Sequence, residues 1–391
     1  MKWYMNEDRE MLQNAFREFA QTKVRPHVDQ MEKEEADAGA LLKEMGKLGF
    51  FALGKPEEYG GAGNDHVNVG LLMEELAKES YTVGFLALIQ HMFIQEMIKC
   101  CSGEQHLIIQ EMIKCCSPEQ IQKYAVPAMN GDIVLGLASC EPAGSMHFEG
   151  YSTKAIRDGD TWVINGNKCL ITEVDVADVF IVSALTGDHF DITTGEGYGT
   201  FIVPADTKGI SIGHIENKVG WKGSRTGTIY FNDVRFPAEN LIPTPMFLAP
   251  AHGLGGYYAA LDLGGAERCL EKTTAILKER VQTGNRSLWD AHEAIRHNVA
   301  DLTVKVSVFK NAVYSHMMNL TIGQADFIED FALKMEGAKL LREISSECMI
   351  LAGGAGMIYE TGIERYYRDV QPSEVGCGCN KTALDWISAL L

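Results

Sequence analysis

The sequence predicts a mixed α+β fold in three parts, helical, then β, then helical again, and three observations carry that prediction. Apolar residues recur at helical spacing up to about residue 130, short β-branched runs with turn signals follow, and long helical patterns resume after about residue 254. The boundaries fall at 1–130, 131–238 and 239–391. A chain of 391 residues is long enough for two or three domains around a substantial core.

In the first part, Met11, Leu12, Ala15, Phe16 and Phe19 lie on one helical face, and Leu71, Leu72, Leu76, Phe85, Leu86 and Ile89 repeat the pattern. The loop Pro56-Glu57-Glu58-Tyr59-Gly60-Gly61-Ala62-Gly63 separates the first helices from the next. The character changes near Gly131. Trp162-Val163-Ile164, Val179-Phe180-Ile181-Val182, Thr200-Phe201-Ile202-Val203 and Thr228-Ile229-Tyr230-Phe231 read as strands, with Asn165-Gly166, Gly159-Asp160 and Asn232-Asp233 as turns. The last part reads as long helices broken at Gly323 and at Ala352-Gly353-Gly354-Ala355-Gly356.

One segment stands apart. Residues 94–102, from Ile94-Gln95-Glu96-Met97-Ile98 to Ser102, recur as residues 109–117, each copy followed by x-Glu-Gln. Two copies do not make a solenoid, which needs at least three units. A tandem duplication is the preferred reading, over an artefact of sequence assembly or a functional insertion. The extra residues are expected to loop out, because one copy alone already fits the spacing expected between Gln90 and Tyr124.

Composition narrows the partners. A formal net charge of −18 argues against nucleic acid and anionic membrane, since phosphate surfaces reward stripes of Lys and Arg. No apolar run reaches the roughly 18 residues that a membrane helix needs. The N-terminus has neither an apolar signal core nor an Arg/Ser-rich transit character, so the expected location is the cytoplasm. Ten cysteines lack the paired C-x2–4-C spacing of zinc sites, so no metal is expected and the thiols are read as reduced.

Several motifs occur in order along the chain. They are Pro56 to Gly61; Glu119-Gln120 through Tyr124, Pro127 and Gly131; Cys140-Glu141-Pro142-Ala143-Gly144-Ser145; and Trp162 through Asn165-Gly166, Lys168-Cys169-Leu170-Ile171-Thr172. Lys218-Val-Gly220 through Val234-Arg235-Phe236-Pro237 and Glu239-Asn240 follows, then Glu279-Arg280-Val-Gln282-Thr283-Gly284, and finally Gly353-Gly354 through Glu364-Arg365-Tyr366-Tyr367-Arg368-Asp369. Together they resemble the acyl-CoA dehydrogenase superfamily over essentially the whole length. The resemblance implies a helical N-terminal domain, a β-barrel-like middle domain and a C-terminal four-helix bundle, assembled as a homotetramer.

It also implies an FAD whose ring lies between the middle domain and the C-terminal helices. Thr172 would bond the edge where hydride arrives, Leu170 would lie near the ring, Cys140 would meet the opposite polar edge and Ser145 the pyrophosphate. Arg280, within the motif that includes Gln282, would hold the adenosine side with the Gly353-Gly354 turn of a neighbouring subunit. Such groups suit the ligand, because a buried heteroaromatic ring needs its polar edges paired and a pyrophosphate wants a guanidinium or free N–H groups. The chain departs from the family where Leu170 replaces Trp, Cys140 replaces Thr, Thr283 replaces Phe and Ile350 replaces Gln.

The catalytic position departs most. The family places a Glu eight residues after the Arg-Asp pair, and this chain has Cys377 there; the alternative family position, on the first long C-terminal helix, falls on Leu254 and Gly255. The backbone N–H at 377 still suits a thioester carbonyl clamp. The Cys377 side chain is shorter and less acidic than Glu, so three readings stand: an inert thiol, a general acid that protonates the α-carbon during enoyl-CoA reduction, or another carboxylate, with Glu374 first and Glu267 and Asp262 more distant. The expected function is interconversion of an acyl-CoA thioester and its 2,3-enoyl-CoA, with electrons exchanged with an electron-transferring flavoprotein. The alternatives are a non-catalytic subunit paired with an active homologue and a non-redox, desulfinase-like flavoprotein.

Overall fold

The computed structural model describes residues 2–98, 116–143, 150–188, 196–242, 253–281, 284–376 and 379–388. The first part is helical: α1 (Glu7–Phe19), α2 (Val28–Glu32), α3 (Gly39–Lys47), α4 (His66–Glu79) and α5 (Tyr81–Ile98), then the short α6 (Pro118–Gln120) and α7 (Val126–Met129). Local chemistry sets the starts. Asn6 caps α1 by accepting from Arg9 N–H at 2.8 Å, and Asp65 caps α4 while pairing with Arg9 at 3.0 Å. Most of the 94–117 repeat lies outside the described residues, and so does the expected loop. The described end of the second copy, Ser117, forms a capping box with Gln120 on α6.

The strands are β1 (Leu135–Ala138), β2 (Lys154–Asp158), β3 (Thr161–Ile171), β4 (Val179–Leu185), β5 (Tyr198–Pro204), β6 (Ile210–Ile215), β7 (Gly227–Pro237) and β8 (Leu241–Ile242). They form one sheet in the order β6-β7-β3-β2-β4-β5-β8, with β1 parallel to β4. Between β2 and β4 only Lys154 and Leu185 pair among the described residues. Then come α8 (Leu254–Glu279), α9 (Leu288–Ala291), α10 (Glu293–Thr321), α11 (Phe327–Ala352), α12 (Glu364–Val375) and α13 (Asn380–Ser388).

The two helical parts share one core. Leu71, Leu72 and Phe85 pack in the same cluster as Tyr258, Leu261, Val313 and Leu341, whereas the sheet keeps its own core around Ile164, Phe180 and Phe201. α8 runs through the middle and is buried almost all round from Leu254 to Ala266. Gly264 lets α4 approach it, since a Cβ there would lie 2.3 Å from Glu74 O. The crossing is tied by charge. Glu74 accepts from Lys78 at 2.9 Å, Lys310 at 2.8 Å and the Tyr314 hydroxyl at 2.6 Å. Burial alone would raise the Glu74 pKa, but the two ammonium groups more than offset it and hold it well below the usual range. No described helix is long and apolar enough to cross a membrane.

Candidate functional site

The site is built at the end of β3. Pairing with β7 slips between Lys168 and Ile171, and the intervening Leu170 takes a left-handed φ of 55° and turns out, 59% exposed. Lys168 points the other way, fully buried, with Nζ 2.7 Å from Glu141 Oε1 and 3.0 Å from Ser139 O. Glu141 also accepts from Ser152 N–H at 2.7 Å, the Ser152 hydroxyl at 2.9 Å and Thr153 N–H at 3.2 Å. The 139–141 segment is thereby anchored against β3, and Cys169 N–H donates to Cys140 O at 2.9 Å.

On its far side the turn is fastened to the loop before β7, where Glu173 N–H donates to Ser224 O and Val174 N–H to Arg225 O, both at 3.1 Å. Cys140, Leu170 and Thr172 therefore share one edge of the sheet. The half-buried Thr172 hydroxyl makes no hydrogen bond among the described residues. Glu173 is 2% exposed at φ 56°, and neither carboxylate oxygen has a hydrogen-bond partner among the described residues. Burial, then Asp37 and Asp175, push its pKa up to about 8.

The same loop reaches α12. Gly220 makes the approach possible, because a Cβ there would lie 2.3 Å from Arg368 O. Trp221 N–H donates to Asp369 Oδ1 at 2.7 Å, and the indole stacks on Phe85 at 3.8 Å. Burial, then Glu32, push Asp369 up to about 7. Beyond this stack lies a fully buried polar group from four helices: Tyr81 of α5, Asp262 of α8, Lys334 of α11 and Ser373 of α12. The Tyr81 hydroxyl donates to Asp262 Oδ1 at 2.8 Å, and Lys334 Nζ lies 3.4 Å from Ser373 O. Burial raises Asp262 to about 7, against the Tyr81 hydrogen bond and the Lys334 charge, which lower it.

A second locus forms where α8 and α11 end. Arg280 donates to Ala352 O at 3.4 Å and stands beside Gly353, while Gly354 has open space where a side chain would be. Arg280 follows Asp262 by about 27 Å along α8 at 1.5 Å per residue.

Family models for the acyl-CoA dehydrogenase N-terminal, middle and C-terminal domains match residues 6–132, 136–234 and 257–391 in turn. A short-chain specific acyl-CoA dehydrogenase of Clostridium acetobutylicum is 30% identical, across 96% of this chain and 95% of that protein. The chain belongs to the acyl-CoA dehydrogenase family. Among other family members, the CarC subunit of the caffeyl-CoA reductase-Etf complex of Acetobacterium woodii is 28% identical over 99% of both chains. The butyryl-CoA dehydrogenase structure from Megasphaera elsdenii matches with a TM-score of 0.85 at 25% identity, covering 100% of this chain and 99% of that one.

Of the residues that acyl-CoA dehydrogenase motifs single out here, Cys140, Leu170 and Thr172 come together at the sheet edge, and Arg280 joins Gly353 and Gly354. The second pairing is a contact within one chain, at the ends of α8 and α11. Ser145, Gln282 and Cys377 lie outside the described residues. Glu374 is described and engaged: its Oε1 lies 2.6 Å from Arg342. Glu267 pairs with Lys310 at 2.7 Å and Lys78 at 2.9 Å, in the structural charge network of α4 and α10. Sequence reasoning gave no role to Glu173 or Trp221, which hold the site's loops together or sit inside them. Among the described residues no cluster of three or more His, Cys, Asp or Glu side chains could hold a metal.

Proposed function

We propose that this acyl-CoA dehydrogenase-family chain binds FAD and interconverts an acyl-CoA with its 2,3-enoyl-CoA, exchanging electrons with an electron-transferring flavoprotein. The observation that carries the reading is the fastened turn after β3. It presents an exposed apolar side chain, Leu170, beside an uncommitted hydroxyl, Thr172, which suits one face and one polar edge of a planar heteroaromatic ring. When bound, FAD supplies a two-electron hydride acceptor or donor at that edge. Leu170 would cover part of the ring, Thr172 would bond its edge, and Cys140 would meet the opposite polar edge, with Ser145 toward the pyrophosphate. Arg280, Gln282 and the Gly353-Gly354 turn of a second copy would hold the adenosine side, as expected of a homotetramer. Their distance from Asp262 along α8 suits a role in another subunit, and exposed Val304 and Val308 on α10 suit burial between copies.

The thioester carbonyl would accept from the backbone N–H at 377, which stabilises the charge that develops as the α-carbon gains or loses its proton. Glu374 is engaged by Arg342, which leaves Cys377 as the other candidate proton-carrying group. A protonated thiol favours the reductive direction, in which the α-carbon is protonated. The caffeyl-CoA reductase subunit among the relatives supports that direction.

The test is the visible spectrum of FAD-supplemented protein before and after anaerobic addition of saturated acyl-CoAs. Bleaching of the flavin band supports dehydrogenation. A retained flavin that bleaches with dithionite and recovers on addition of an enoyl-CoA supports reduction. Failure to retain flavin would overturn the reading in favour of a non-catalytic subunit that pairs with an active homologue.

A further inference from the structure

The first turn of α8 is capped by a side chain from another helix. Its boundary residue is Gly253, which has no side chain to offer the free N–H groups of that turn. Asp330, in the first turn of α11, takes them instead. Gly255 N–H donates to its Oδ2 at 3.0 Å and Gly256 N–H to its Oδ1 at 2.9 Å. The approach needs both glycines. A Cβ at 255 would lie 1.7 Å from Asp330 O, and one at 256 would lie 2.7 Å from His316 Cδ2.

His316 of α10 closes the arrangement. It is fully buried, with Nε2 2.7 Å from Asp330 Oδ1 and Nδ1 3.2 Å from Glu329 Oε2. A neutral imidazole has one N–H, so it could serve one of these oxygens while its other nitrogen turned a lone pair toward a carboxylate. Only the imidazolium donates to both, and the geometry itself therefore selects the protonated ring. Burial lowers the His316 pKa, but hydrogen bonds and charge from Asp330, then Glu329, outweigh it and raise it above the ordinary value. The same turn of α8 carries Tyr257 to the N-terminal helices. There its hydroxyl donates to Gln95 of α5 at 3.3 Å and meets His66 of α4.

We propose that His316 is a proton-operated clasp on the start of α8. Protonated, it ties α10 to the Asp330 cap; deprotonated, it releases Glu329 and slackens that cap, because Glu329 and Asp330 are consecutive on α11. Ionisable groups approach the clasp from every helix around it. Glu329 and Asp330 come from α11, and α8 brings the Tyr257 phenol, which lies in the field of Asp330. α4 brings His66 behind Tyr257, and on α10 itself Lys310 and Tyr314 are committed to Glu74. The folded pKa is raised above the roughly 6.5 of an unfolded His, so the tie is complete below about pH 6.5. It is lost as pH rises through the folded value. The clasp does not depend on the acyl-CoA reading, and its test uses no substrate.

The experiment is hydrogen–deuterium exchange by mass spectrometry on the full chain between about pH 6 and about pH 9, corrected for the intrinsic pH dependence of exchange. The Gly255 and Gly256 amides report the clasp directly, since each donates to Asp330, and the β4 amides serve as the control. The first turn of α8 should lose at least about fivefold in protection across that window while β4 loses none. His316→Gln should abolish the step, because an amide side chain has no proton to lose. Glu329→Gln removes the partly exposed partner and should move the step to lower pH by up to about one unit. Should His316→Gln fail to fold by circular dichroism, Glu329→Gln decides alone. Flat protection of the wild-type turn across the window would overturn the proposal and leave a static cap. So would an unmoved step in either folded variant, or an equal loss in β4, which would assign the titration to the whole fold.

Discussion

Glu141 and Glu173 are both carboxylates of the middle domain, 3% and 2% exposed, and both hang from segments fastened to the end of β3. Glu141 accepts from Lys168, two backbone N–H groups and a hydroxyl, and those donors outweigh its burial and lower its pKa. Glu173 accepts from nothing among the described residues. Its nearest charges include Asp37 and Asp175, and Arg225, which could have helped, is taken by Asp175 at 3.0 Å. Equal burial therefore gives one carboxylate that stays ionised and holds the ring-side segment in place, and another that is stored as a neutral acid. Donors, not depth, decide the protonation state. The left-handed φ of 56° at Glu173 adds backbone strain to an already unpaired side chain, a combination that marks a position shaped by function rather than stability.

The largest expected effect breaks the satisfied member of the pair. Lys168→Met removes the one cation from a buried carboxylate and should destabilise the fold by about 3–5 kcal/mol in urea unfolding. It should also release the Cys140 segment, so flavin retention ought to fall in the same variant. A loss under about 1 kcal/mol would mean that the Ser152 and Thr153 donors suffice without the cation.

Glu173→Gln should do the reverse. The folded pKa of Glu173, about 8, lies above the roughly 4.3 of an unfolded Glu. The folded state therefore holds its proton more tightly, and the stability this group confers is complete below about pH 4.3 and lost as pH rises toward about 8. The wild type should weaken through that window relative to the variant. Glu173→Gln should gain little near pH 4.5 and on the order of 5 kcal/mol at pH 8, measured by urea unfolding across pH. A gain independent of pH would show that strain alone is relieved.

How far the sequence reveals this contrast differs residue by residue. The helix–sheet–helix order is legible because Met11, Phe16 and Phe19 keep a helical period while Val179 to Val182 form a short β-branched run. Cys140, Leu170 and Thr172 are legible because the motifs around them are local. Glu173 is not, because a Glu after a strand reads as a solvated turn charge, and the like charge of Asp37 that helps raise its pKa comes from a distant segment. Asp262 leaves a fainter signal, a lone acid inside the apolar run of Tyr257, Tyr258, Ala259, Ala260, Leu261 and Leu263, a setting that itself points to burial. The pairing of Arg280 with its own chain's Gly353 depends on how α8 and α11 lie side by side, which no local motif encodes.

The smallest expected effect sharpens the comparison most. Lys218 is half-buried and is the first of the cations that pull the Glu173 pKa down, ahead of Arg225, while burial lowers its own pKa. Its distance from Glu173 keeps it short of an ion pair, so it acts on Glu173 only through the field. Lys218→Met should move the pH limb of the stability curve to higher pH by less than about one unit, worth under about 1.4 kcal/mol. In a Glu173→Gln background the same substitution should leave no pH-dependent effect, because the titrating partner is gone. A limb that moves equally in both backgrounds would assign the titration to another carboxylate, and Asp37, which faces Glu173 and counts among the charges that raise its pKa, is then the group to replace.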